Sequence, residues 1–232
     1  STAGDVEAVA LRVPPFPGPV CDFGSRPPDG RPLLPVFSGG GSALMTSPQY
    51  GLDLADIQTL TKLLLACGAR VDEINTLRRH LDRVKGGSIA KSASGARIAS
   101  LILSDVVGNP LEAIASGPTA PDPSTREDAL TILEKYDLLD KVPVVILGVL
   151  ETAPETPKPN DPLFERVQNV LVGSNSLAAQ AGLEMAKSLG FHTHFLGDTW
   201  QGEARDVAKE LCGHFNLNYE RPFCLIAGGE TT

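Results

Sequence analysis

Residues 170–196 read VLVGSNSLAAQAGLEMAKSLGFHTHFL, and this stretch indicates the fold. Residues 170–172 form a short apolar run that predicts a strand, and the turn Gly173-Ser174-Asn175 follows it. Residues 176–189 predict a helix, which Gly190 ends because glycine readily adopts the left-handed conformation found after helices. The stretch closes with a second predicted strand. A strand, a helix and a strand in this order are typical of an α/β domain.

The same alternation recurs along most of the chain. Short apolar runs end in glycine, serine or aspartate and are followed by stretches with helical periodicity. Asp53, and either Ser124 or Thr125, are predicted N-caps because their side-chain oxygens can accept a hydrogen bond from the first turn of a helix. The further predicted strands cover residues 33–37, 99–103 and 223–227, and the further predicted helices cover residues 53–67, 72–84, 124–136, 142–150 and 203–212.

Composition and charge limit the kinds of partner that the protein can have. The chain has 232 residues, with 42% hydrophobic and 21% charged side chains, as in globular proteins. Its 20 Lys and Arg residues against 28 Asp and Glu residues give a net charge of −8, which disfavours binding to nucleic acid or to an anionic membrane surface. No apolar run is long enough to span a bilayer. We therefore expect no nucleic-acid partner and no membrane partner.

Cysteine and proline usage bear on the compartment and on the first part of the chain. The four cysteines show no C-x-x-C pair, so neither a zinc site nor a disulfide framework is predicted, and a reducing, cytoplasmic location is expected.

Eight prolines fall within residues 14–35, a density that blocks helix interiors and central strands. Residues 1–32 are therefore interpreted as a Pro-rich disordered arm.

Four predicted strand ends carry small or acidic residues. In open α/β sheets, ligands bind at the carboxyl ends of the strands, where turns into helices expose amide groups. A single glycine turn is as well explained as a simple tight turn, but four on one presumed edge predict a shared ligand site. The four segments are residues 38–42, Ser104-Asp105, Gly173-Ser174-Asn175 and Gly228-Gly229-Glu230.

The triple glycine Gly39-Gly40-Gly41, followed by Ser42, is the most distinctive of these segments. Three consecutive residues without a Cβ let backbone amides approach a phosphate oxygen closely. The stretch matches neither the P-loop pattern nor the dinucleotide pattern G-x-G-x-x-G, whose sixth position here is Leu44. A role in binding nucleotide phosphate therefore depends on geometry rather than on a standard motif.

A basic cluster in residues 78–91 is a candidate anion site in this acidic chain. Arg79 and Arg83 are four residues apart on a predicted helix, a like-charge spacing that an anion between them would relieve. A solvated helix face on which Arg78 pairs with Asp82 is the alternative. The basic members of the cluster are Arg78, Arg79, Arg83, Lys85 and Lys91.

Two aspartates, Asp105 and Asp122, lie at positions that indicate a role for their carboxylates. Asp105 follows a predicted strand and is a candidate Mg²⁺ ligand, because Mg²⁺ takes one or two carboxylates and fills its other positions with water and phosphate oxygens. A helix cap is the alternative for this residue. Asp122 lies between two prolines and is interpreted as a turn former.

Nine short blocks occur in a fixed order between residues 38 and 232. They are SGGGSAL at 38–44, EINT at 73–76, RHL at 79–81, RVKGG at 83–87, LSDVVG at 103–108, ASGPT at 115–119, ETPK at 155–158, GSN at 173–175 and AGGETT at 227–232. In this order the blocks resemble those of the glycerate 2-kinases of the MOFRL type. The resemblance extends over residues 33–232.

The resemblance implies a fold, an activity and two cofactors. The activity is phosphorylation of D-glycerate to 2-phosphoglycerate, with ATP and Mg²⁺. The fold is a Rossmann-like three-layer α/β/α sandwich with a mostly parallel sheet over residues 33–220, and residues 221–232 would be the first strand of a truncated second domain. A truncated or alternatively spliced chain of this kind is expected to be nearly inactive as a kinase and still to bind a small anion weakly.

A kinase needs a phosphate cradle, a metal ion and cations that spread the charge of the transition state. Asp105 is assigned to Mg²⁺ or to the substrate hydroxyl. Anion binding is assigned to Arg79, Arg83 and Lys85. Contacts to the phosphates of ATP or to the glycerate carboxylate are assigned to Gly39, Gly40, Gly41 and Ser42, and further cofactor contacts to Ser174, Asn175 and Glu230.

Two other functions stay open from the sequence. A hydroxypyruvate reductase-like dehydrogenase would use the same sheet edge and a similar substrate, although the dinucleotide pattern is missing. A non-catalytic fragment that retains partial ligand binding is the other. A homo-oligomer is also expected, and a mitochondrial location is the alternative for a full-length parent.

Overall fold

Helices and strands are mixed along the part of the chain that this computed structural model describes, which is residues 32–38, 40–93, 95–215 and 217–231. Its strands are β1 (Val36–Phe37), β2 (Ile98–Leu103), β3 (Val167–Gly173), β4 (His192–Phe195), β5 (Trp200–Gly202), β6 (Phe223–Ile226) and β7 (Gly229–Thr231). Its α-helices are α1 (Gly41–Leu44), α2 (Leu54–Ala66), α3 (Val71–His80), α4 (Ser88–Ser92), α5 (Arg126–Lys135), α6 (Val144–Thr152), α7 (Asn175–Ser188) and α8 (Ala204–His214). Short 3-10 helices cover Ile114–Ser116 and Pro162–Arg166.

The chain divides into two compact units. Unit 1 comprises the described residues up to Leu101 together with Leu111–Val170, and unit 2 comprises Ile102–Pro110 together with the described residues from Leu171 onward. The predicted arm, residues 1–32, lies outside the described residues except for its last position. The domain boundaries predicted after residues 32 and 220 stay predictions.

The main core of unit 1 lies between helices α2, α3, α5 and α6. Buried side chains recur at the three- and four-residue spacing of an amphipathic helix, as with Leu60 and Leu64 in α2 and with Ile74 and Leu77 in α3. Burying a side chain of this size stabilises a fold by about 1.5 to 3 kcal/mol relative to exposing it. The same core buries Leu81, Ala129, Leu133, Leu138, Val142, Ile146 and Leu150.

The sheets are mostly parallel, as expected where helices connect successive strands. Strands β1, β2 and β3 lie side by side in that order, and a parallel bridge joins Leu33 to Ile98. In unit 2, β4 pairs with β6 and β5 pairs with β7, and both pairings are parallel. Parallel strands need a crossover connection, which a helix usually provides. The predicted α/β class with a mostly parallel sheet is confirmed.

Several helix ends follow the capping residues in the sequence. Asp53 accepts a hydrogen bond from the N–H of Asp56 at 2.9 Å and begins α2, and Gly68, with φ of +74°, follows its end. Of the two candidate caps for α5, the structure uses Thr125, whose hydroxyl accepts from the N–H of Asp128 at 3.1 Å. These predicted ends are confirmed.

The helix predicted over residues 72–84 is too long. Helix α3 ends at His80, because the following backbone bonds to other partners. The N–H of Arg83 donates to the carbonyl of Ser47 at 2.7 Å, and the carboxylate of Asp82 accepts from the N–H of Val84 at 2.9 Å. Arg79 and Arg83 therefore do not share a helix face, and the prediction that they lie one turn apart on the same helix is wrong.

Candidate functional site

The glycine-rich turn of unit 1 comprises Ser38 and residues 40–42, while Gly39 lies outside the described residues. Gly40 has a left-handed backbone with φ of +73°, and the N–H of Gly41 donates to the carbonyl of Ser38 at 3.1 Å. A Cβ built on Gly40 would meet no heavy atom of the described residues within 4 Å. The backbone therefore favours glycine here, and open space lies beside it.

The buried side chain of Lys85 contacts this turn. Only 1% of the residue is exposed, although lysine is almost never fully buried without a partner. Its ammonium donates to the carbonyl of Ser42 at 3.0 Å, to the hydroxyl of Thr46 at 3.3 Å and to the carbonyl of Met45. The predicted site residues Ser42 and Lys85 are therefore in direct contact.

Asp82 completes the charge balance around Lys85. Its carboxylate lies 3.2 Å from the ammonium, and it also accepts a hydrogen bond from the N–H of Ser47 at 3.2 Å. Burial raises the pKa of Asp82 and lowers the pKa of Lys85, and the attraction between the two groups opposes both shifts. Asp82 thus pairs with Lys85 rather than with Arg78, the partner considered from the sequence.

Ser116 joins the glycine-rich turn to helix α3. Its hydroxyl lies 2.7 Å from the hydroxyl of Ser42 and donates to the side chain of Asn75 at 3.4 Å. Ala115 and Ser116 both have left-handed backbones, with φ of +51° and +62°. Such backbones cost non-glycine residues about 1 to 3 kcal/mol and cluster at functional sites.

Arg79 is held inside unit 1 by Asp122. The Nε atom of Arg79 lies 2.9 Å from a carboxylate oxygen of Asp122, a residue with no exposed surface. The Nη atoms of Arg79 donate to the carbonyl of Glu112 at 3.3 Å and to the hydroxyl of Ser124 at 3.2 Å. Asp122 also accepts from the N–H of Ser124 at 3.0 Å, so it forms the predicted turn and anchors a buried ion pair as well.

Glu155 lies at the edge of the same buried cluster. Its Oε2 is 2.7 Å from the ammonium of Lys158, and its Oε1 accepts from the N–H of Arg126 at 2.9 Å. Burial raises the pKa of Glu155, but these hydrogen bonds outweigh burial and hold it at about 2. Nε2 of the buried His80 is 3.4 Å from the same carboxylate, so this corner of unit 1 is densely charged.

Arg83 has a different environment from the other predicted cations. Its guanidinium lies over the ring of Tyr50, 4.1 Å from the ring centroid, and the side chain is half-buried. Within the described ranges, no carboxylate forms an ion pair with it. Arg83 therefore has donors that a bound anion could use.

In unit 2, the ends of β2 and β3 lie next to each other, as predicted. The N–H of Ser104 donates to the carbonyl of Gly173 at 2.9 Å. Asp105 and Ser174 are the residues that come next in the sequence after these two. Ser174 caps α7 by accepting from the N–H of Leu177 at 3.2 Å. Asp105 is exposed, and its carboxylate has no hydrogen bond or ion pair with the described residues.

Three turns meet in another part of unit 2. A Cβ built on Gly228 would lie 3.5 Å from the Cβ of Asn175 and 3.5 Å from the Cα of Asp198, so the turns after β3, β4 and β6 converge. A Cβ on Gly229 would lie 2.0 Å from the carbonyl oxygen of Trp200, so any side chain there would force the backbone to shift. Glu230 is exposed on β7, in register with Gln201 of β5.

The side chains that the structure describes limit the kind of metal site that the chain can form. Among them, no group of three or more His, Cys, Asp or Glu side chains is close enough together to hold a metal ion. Mg²⁺ needs only one or two protein carboxylates when phosphate oxygens and water supply the rest. The exposed, unpaired carboxylate of Asp105 fits that requirement.

Asp82 and Ser116 contact predicted site residues, although neither was itself predicted from the sequence as a site residue. Asp82 is the only acid among residues 78–91, and its position three residues before Lys85 is a signal that could have indicated the pair. Ser116 carries no such signal, because its partner Ser42 is 74 residues away. Such long-range contacts follow from the fold and not from local spacing.

Within the described ranges, no helix is both long and apolar enough to cross a membrane. Parallel strands joined through helices define this chain as an α/β protein. The chain belongs to the family described as Domain of unknown function (DUF4147), whose family model matches residues 25–151.

Relatives and solved structures agree with the predicted resemblance, which is confirmed. A protein of Pyrococcus horikoshii named glycerate 2-kinase is 44% identical over 209 residues, which are 85% of this chain and 46% of that protein. A rat protein named glycerate kinase is 45% identical over 177 residues, which are 76% of this chain and 34% of that protein. The chain thus spans about a third to a half of the length of these curated relatives.

The crystal structure of a glycerate kinase from Thermotoga maritima has a similar fold. It has a TM-score of 0.77 at 36% sequence identity, and the match covers 87% of this chain and 48% of that one. A crystal structure of a Pyrococcus horikoshii protein has a TM-score of 0.74 at 42% identity, with the same coverage.

Proposed function

We propose that this chain is part of a glycerate 2-kinase, which transfers a phosphoryl group from ATP to the 2-hydroxyl of D-glycerate. The observation that carries the proposal is the 44% identity over 209 residues with the Pyrococcus horikoshii protein named glycerate 2-kinase. The geometry adds to it, because glycine-containing turns lie at strand ends in both units. A cytoplasmic location and a homo-oligomeric state stay predictions.

The glycine-rich turn is proposed to bind an anionic group of a substrate. In phosphoryl transfer the protein mainly positions groups and stabilises charge, and backbone amides can do both. The open space beside Gly40 supports this role for Gly40, Gly41 and Ser42, whose ligand would be a phosphate of ATP or the carboxylate of glycerate. The same role stays a prediction for Gly39.

Of the predicted cations, Arg83 is the one that we propose contacts the anion. Arg79 and Lys85 already make ion pairs with Asp122 and Asp82 inside unit 1. A buried cation that left such a partner would leave an uncompensated carboxylate behind, which is costly. Arg83 carries no such constraint in the part of the chain that the structure describes.

Asp105 is proposed to hold Mg²⁺, and Ser174, Asn175 and Glu230 to contact the cofactor. A bound Mg²⁺ would neutralise charge on the phosphates and polarise the phosphoryl oxygens. The carboxylate of Asp105 is exposed and unpaired among the described residues, so no internal ion pair has to break when the metal binds. Asn175 and Gly228 lie at converging turns, which supports a shared ligand in that part of unit 2.

The test is phosphoryl transfer and substrate binding by the chain itself. The chain is incubated with D-glycerate, labelled ATP and Mg²⁺, and labelled 2-phosphoglycerate is separated and counted, while calorimetry measures the binding of each substrate. Labelled product supports the proposal, and binding of both substrates without transfer supports the proposed substrate sites. A chain that binds neither substrate and forms no product would overturn the proposal, as would NADH oxidation driven by hydroxypyruvate.

Asp105→Asn is the variant that tests the metal role. We expect it to reduce Mg²⁺-dependent binding of ATP, or turnover where the chain is active, by at least about 100-fold, because a metal supplies several kcal/mol of charge stabilisation. Asp140→Asn is the matched control, since Asp140 is also exposed and lies far from the turns in sequence. Equal effects of the two substitutions would remove Asp105 from the site.

A further inference from the structure

We propose that Lys85 and Asp82 are a positioning pair, which fixes the conformation of the glycine-rich turn without touching the substrate. This assigns Lys85 a role different from the anion binding predicted from the sequence, and it gives Asp82 a role for the first time. What the turn binds rests on the proposed function, but the positioning itself does not.

The ammonium of Lys85 has no donor left for a substrate. An ammonium carries three N–H donors, and four oxygen acceptors already lie within reach of this one. These acceptors belong to Ser42, Met45, Thr46 and Asp82. Only 1% of Lys85 is exposed, so a substrate could reach the ammonium only after the surrounding turn had opened.

Two of those acceptors are backbone carbonyls at the end of helix α1. The helix has four residues, and the carbonyls of its last turn have no further turn to bond to. Lys85 satisfies the carbonyls of Ser42 and Met45, and its positive charge is favourable at the C-terminal end of a helix. The ammonium thereby fixes which way the peptide groups of α1 point.

Asp82 fixes Lys85 from the other side. Its carboxylate accepts hydrogen bonds from the N–H groups of Val84 and Ser47, and the N–H of Gln49 donates to the carbonyl of Leu81 at 2.9 Å. The segment that carries the ion pair is therefore joined by its backbone to the segment that follows α1. A change at Asp82 would move both the ammonium and its acceptors.

The residues after Lys85 connect the pair to the opposite side of the turn. The N–H groups of Gly86 and Gly87 donate to the carbonyls of Ser116 and Gly117 at 2.9 and 2.7 Å. The hydroxyl of Ser116 in turn lies 2.7 Å from that of Ser42. Ser42 is thus held by its carbonyl from Lys85 and by its hydroxyl from Ser116, so both contacts lead back to residues 85–87.

The experiment compares hydrogen exchange of residues 40–46 in the unliganded chain. The double substitution Asp82→Asn with Lys85→Gln keeps polar side chains of similar size and leaves no buried charge unpaired. We expect exchange in this segment to become at least tenfold faster and the dissociation constants for ATP and glycerate to rise about tenfold. Lys135→Met is the control, because it removes an ion pair with Glu73 whose lysine side chain is 52% exposed.

The two halves of the experiment separate the positioning from the proposed function. If substrate binding weakens while exchange of residues 40–46 in the unliganded protein stays as in the unsubstituted chain, Lys85 contacts the substrate and the positioning role is overturned. If the unsubstituted chain binds neither ATP nor glycerate, the proposed function fails, and the exchange rates still decide the positioning role.

If the double variant does not fold, a measurement on the unsubstituted chain still tests the proposal. The ammonium protons of Lys85 can be observed by nuclear magnetic resonance, and their contacts to Ser42 and Met45 predict slow exchange with water. We expect the ammonium resonance to stay in place during titration with ATP or glycerate, while the amide resonances of Gly40 and Gly41 shift. Rapid exchange of the ammonium, or a shift as large as that of Gly40, would overturn the proposal.

Discussion

Gly40 and Gly68 place the same demand on the backbone at two different positions. Their φ angles are +73° and +74°, and a Cβ on either would meet none of the described heavy atoms within 4 Å. Gly68 follows the end of α2, whereas Gly40 directly precedes α1 in the glycine-rich turn. Substituting either residue therefore costs similar backbone strain, but only one of the two lies in the proposed site.

Gly40→Val and Gly68→Val should therefore differ in their effects on substrate binding. Each should lower the free energy of unfolding by about 1 to 3 kcal/mol, because a β-branched residue is strained at positive φ. Gly40→Val alone should also weaken binding of ATP or glycerate, since its side chain fills the space beside the turn. Urea unfolding and calorimetry measure the two quantities. Equal binding by both variants would show that the turn holds no ligand.

Asp122 is predicted to be a residue whose loss the fold tolerates poorly. Asp122→Ala leaves Arg79 buried without its carboxylate, and breaking a buried pair in this way costs about 3 to 5 kcal/mol. Asp206→Ala, which breaks the exposed pair with Lys209, should cost less than about 1 kcal/mol. Urea unfolding followed by circular dichroism compares them. Similar losses for the two variants would mean that the buried pair contributes no more than a surface one.

The sequence predicts those helix boundaries that depend only on neighbouring residues. The start of α2 at Asp53 and the stop at Gly68 follow from side-chain capping and left-handed glycine, which are local properties. The end of α3 is not local, because the N–H of Arg83 bonds to Ser47, a residue 36 positions earlier. The sequence likewise does not predict strands β5 and β7, because each has three residues and is stabilised by pairing with the other.

The features of the candidate site likewise fall into those that the local sequence predicts and those that it does not. The glycine-rich turn and the strand end at Asp105 could be located from the sequence, because small residues after apolar runs mark turns into helices. The contacts that distinguish Lys85 from Arg83 could not, because both belong to one basic cluster. Only the fold shows that Lys85 points at the carbonyls of α1, whereas Arg83 lies over Tyr50.

Glu73 links α3 to α5 and should make stability depend on acid pH. A hydrogen bond from Lys135 at 2.6 Å, with further ones from the N–H of Arg70 and the hydroxyl of Tyr136, lowers the pKa of Glu73 to about 2 from a usual 4.5. Because the folded pKa is the lower one, this stabilisation is complete above about pH 4.5 and is lost as the pH falls toward 2.

The expected contribution is small, because the side chain of Lys135 is 52% exposed and solvent screens the ion pair. Urea unfolding at pH 6 and pH 3 measures it, and Glu73→Gln should show a smaller difference between the two pH values than the unsubstituted chain. Glu134→Gln, at an exposed position of α5, serves as the control. A pH difference that Glu73→Gln leaves unchanged would assign the acid sensitivity to other carboxylates.

The core of unit 1 and the strands of unit 2 differ in how many side chains they bury. Helices α2, α3, α5 and α6 of unit 1 share a continuous buried core, whereas none of the side chains described in strands β4, β5, β6 and β7 is fully buried. Backbone that buries few apolar side chains opens at a lower free energy than the core does.

Hydrogen exchange should therefore show a gradient between the units. We expect amides of β4 and β6 to exchange at least tenfold faster than those of α3 and α5, after correction for intrinsic rates. Mass spectrometry of peptides from each unit provides the measurement. Equal protection in both sets of peptides would indicate that the chain opens only as a whole.

The approach of Gly229 to the carbonyl of Trp200 has a consequence for how this sequence can vary. In a library of single-codon variants selected for folded protein, position 229 should retain glycine alone, because any Cβ would overlap the oxygen at 2.0 Å. The exposed helical position Gly148, where a Cβ meets none of the described atoms within 4 Å, should accept alanine and even be enriched for it, since alanine favours helix by about 1 kcal/mol. Tolerance to substitution along the chain would thus follow the space that is open to a Cβ at each position. Selection would retain glycine at position 229 and favour its replacement at position 148.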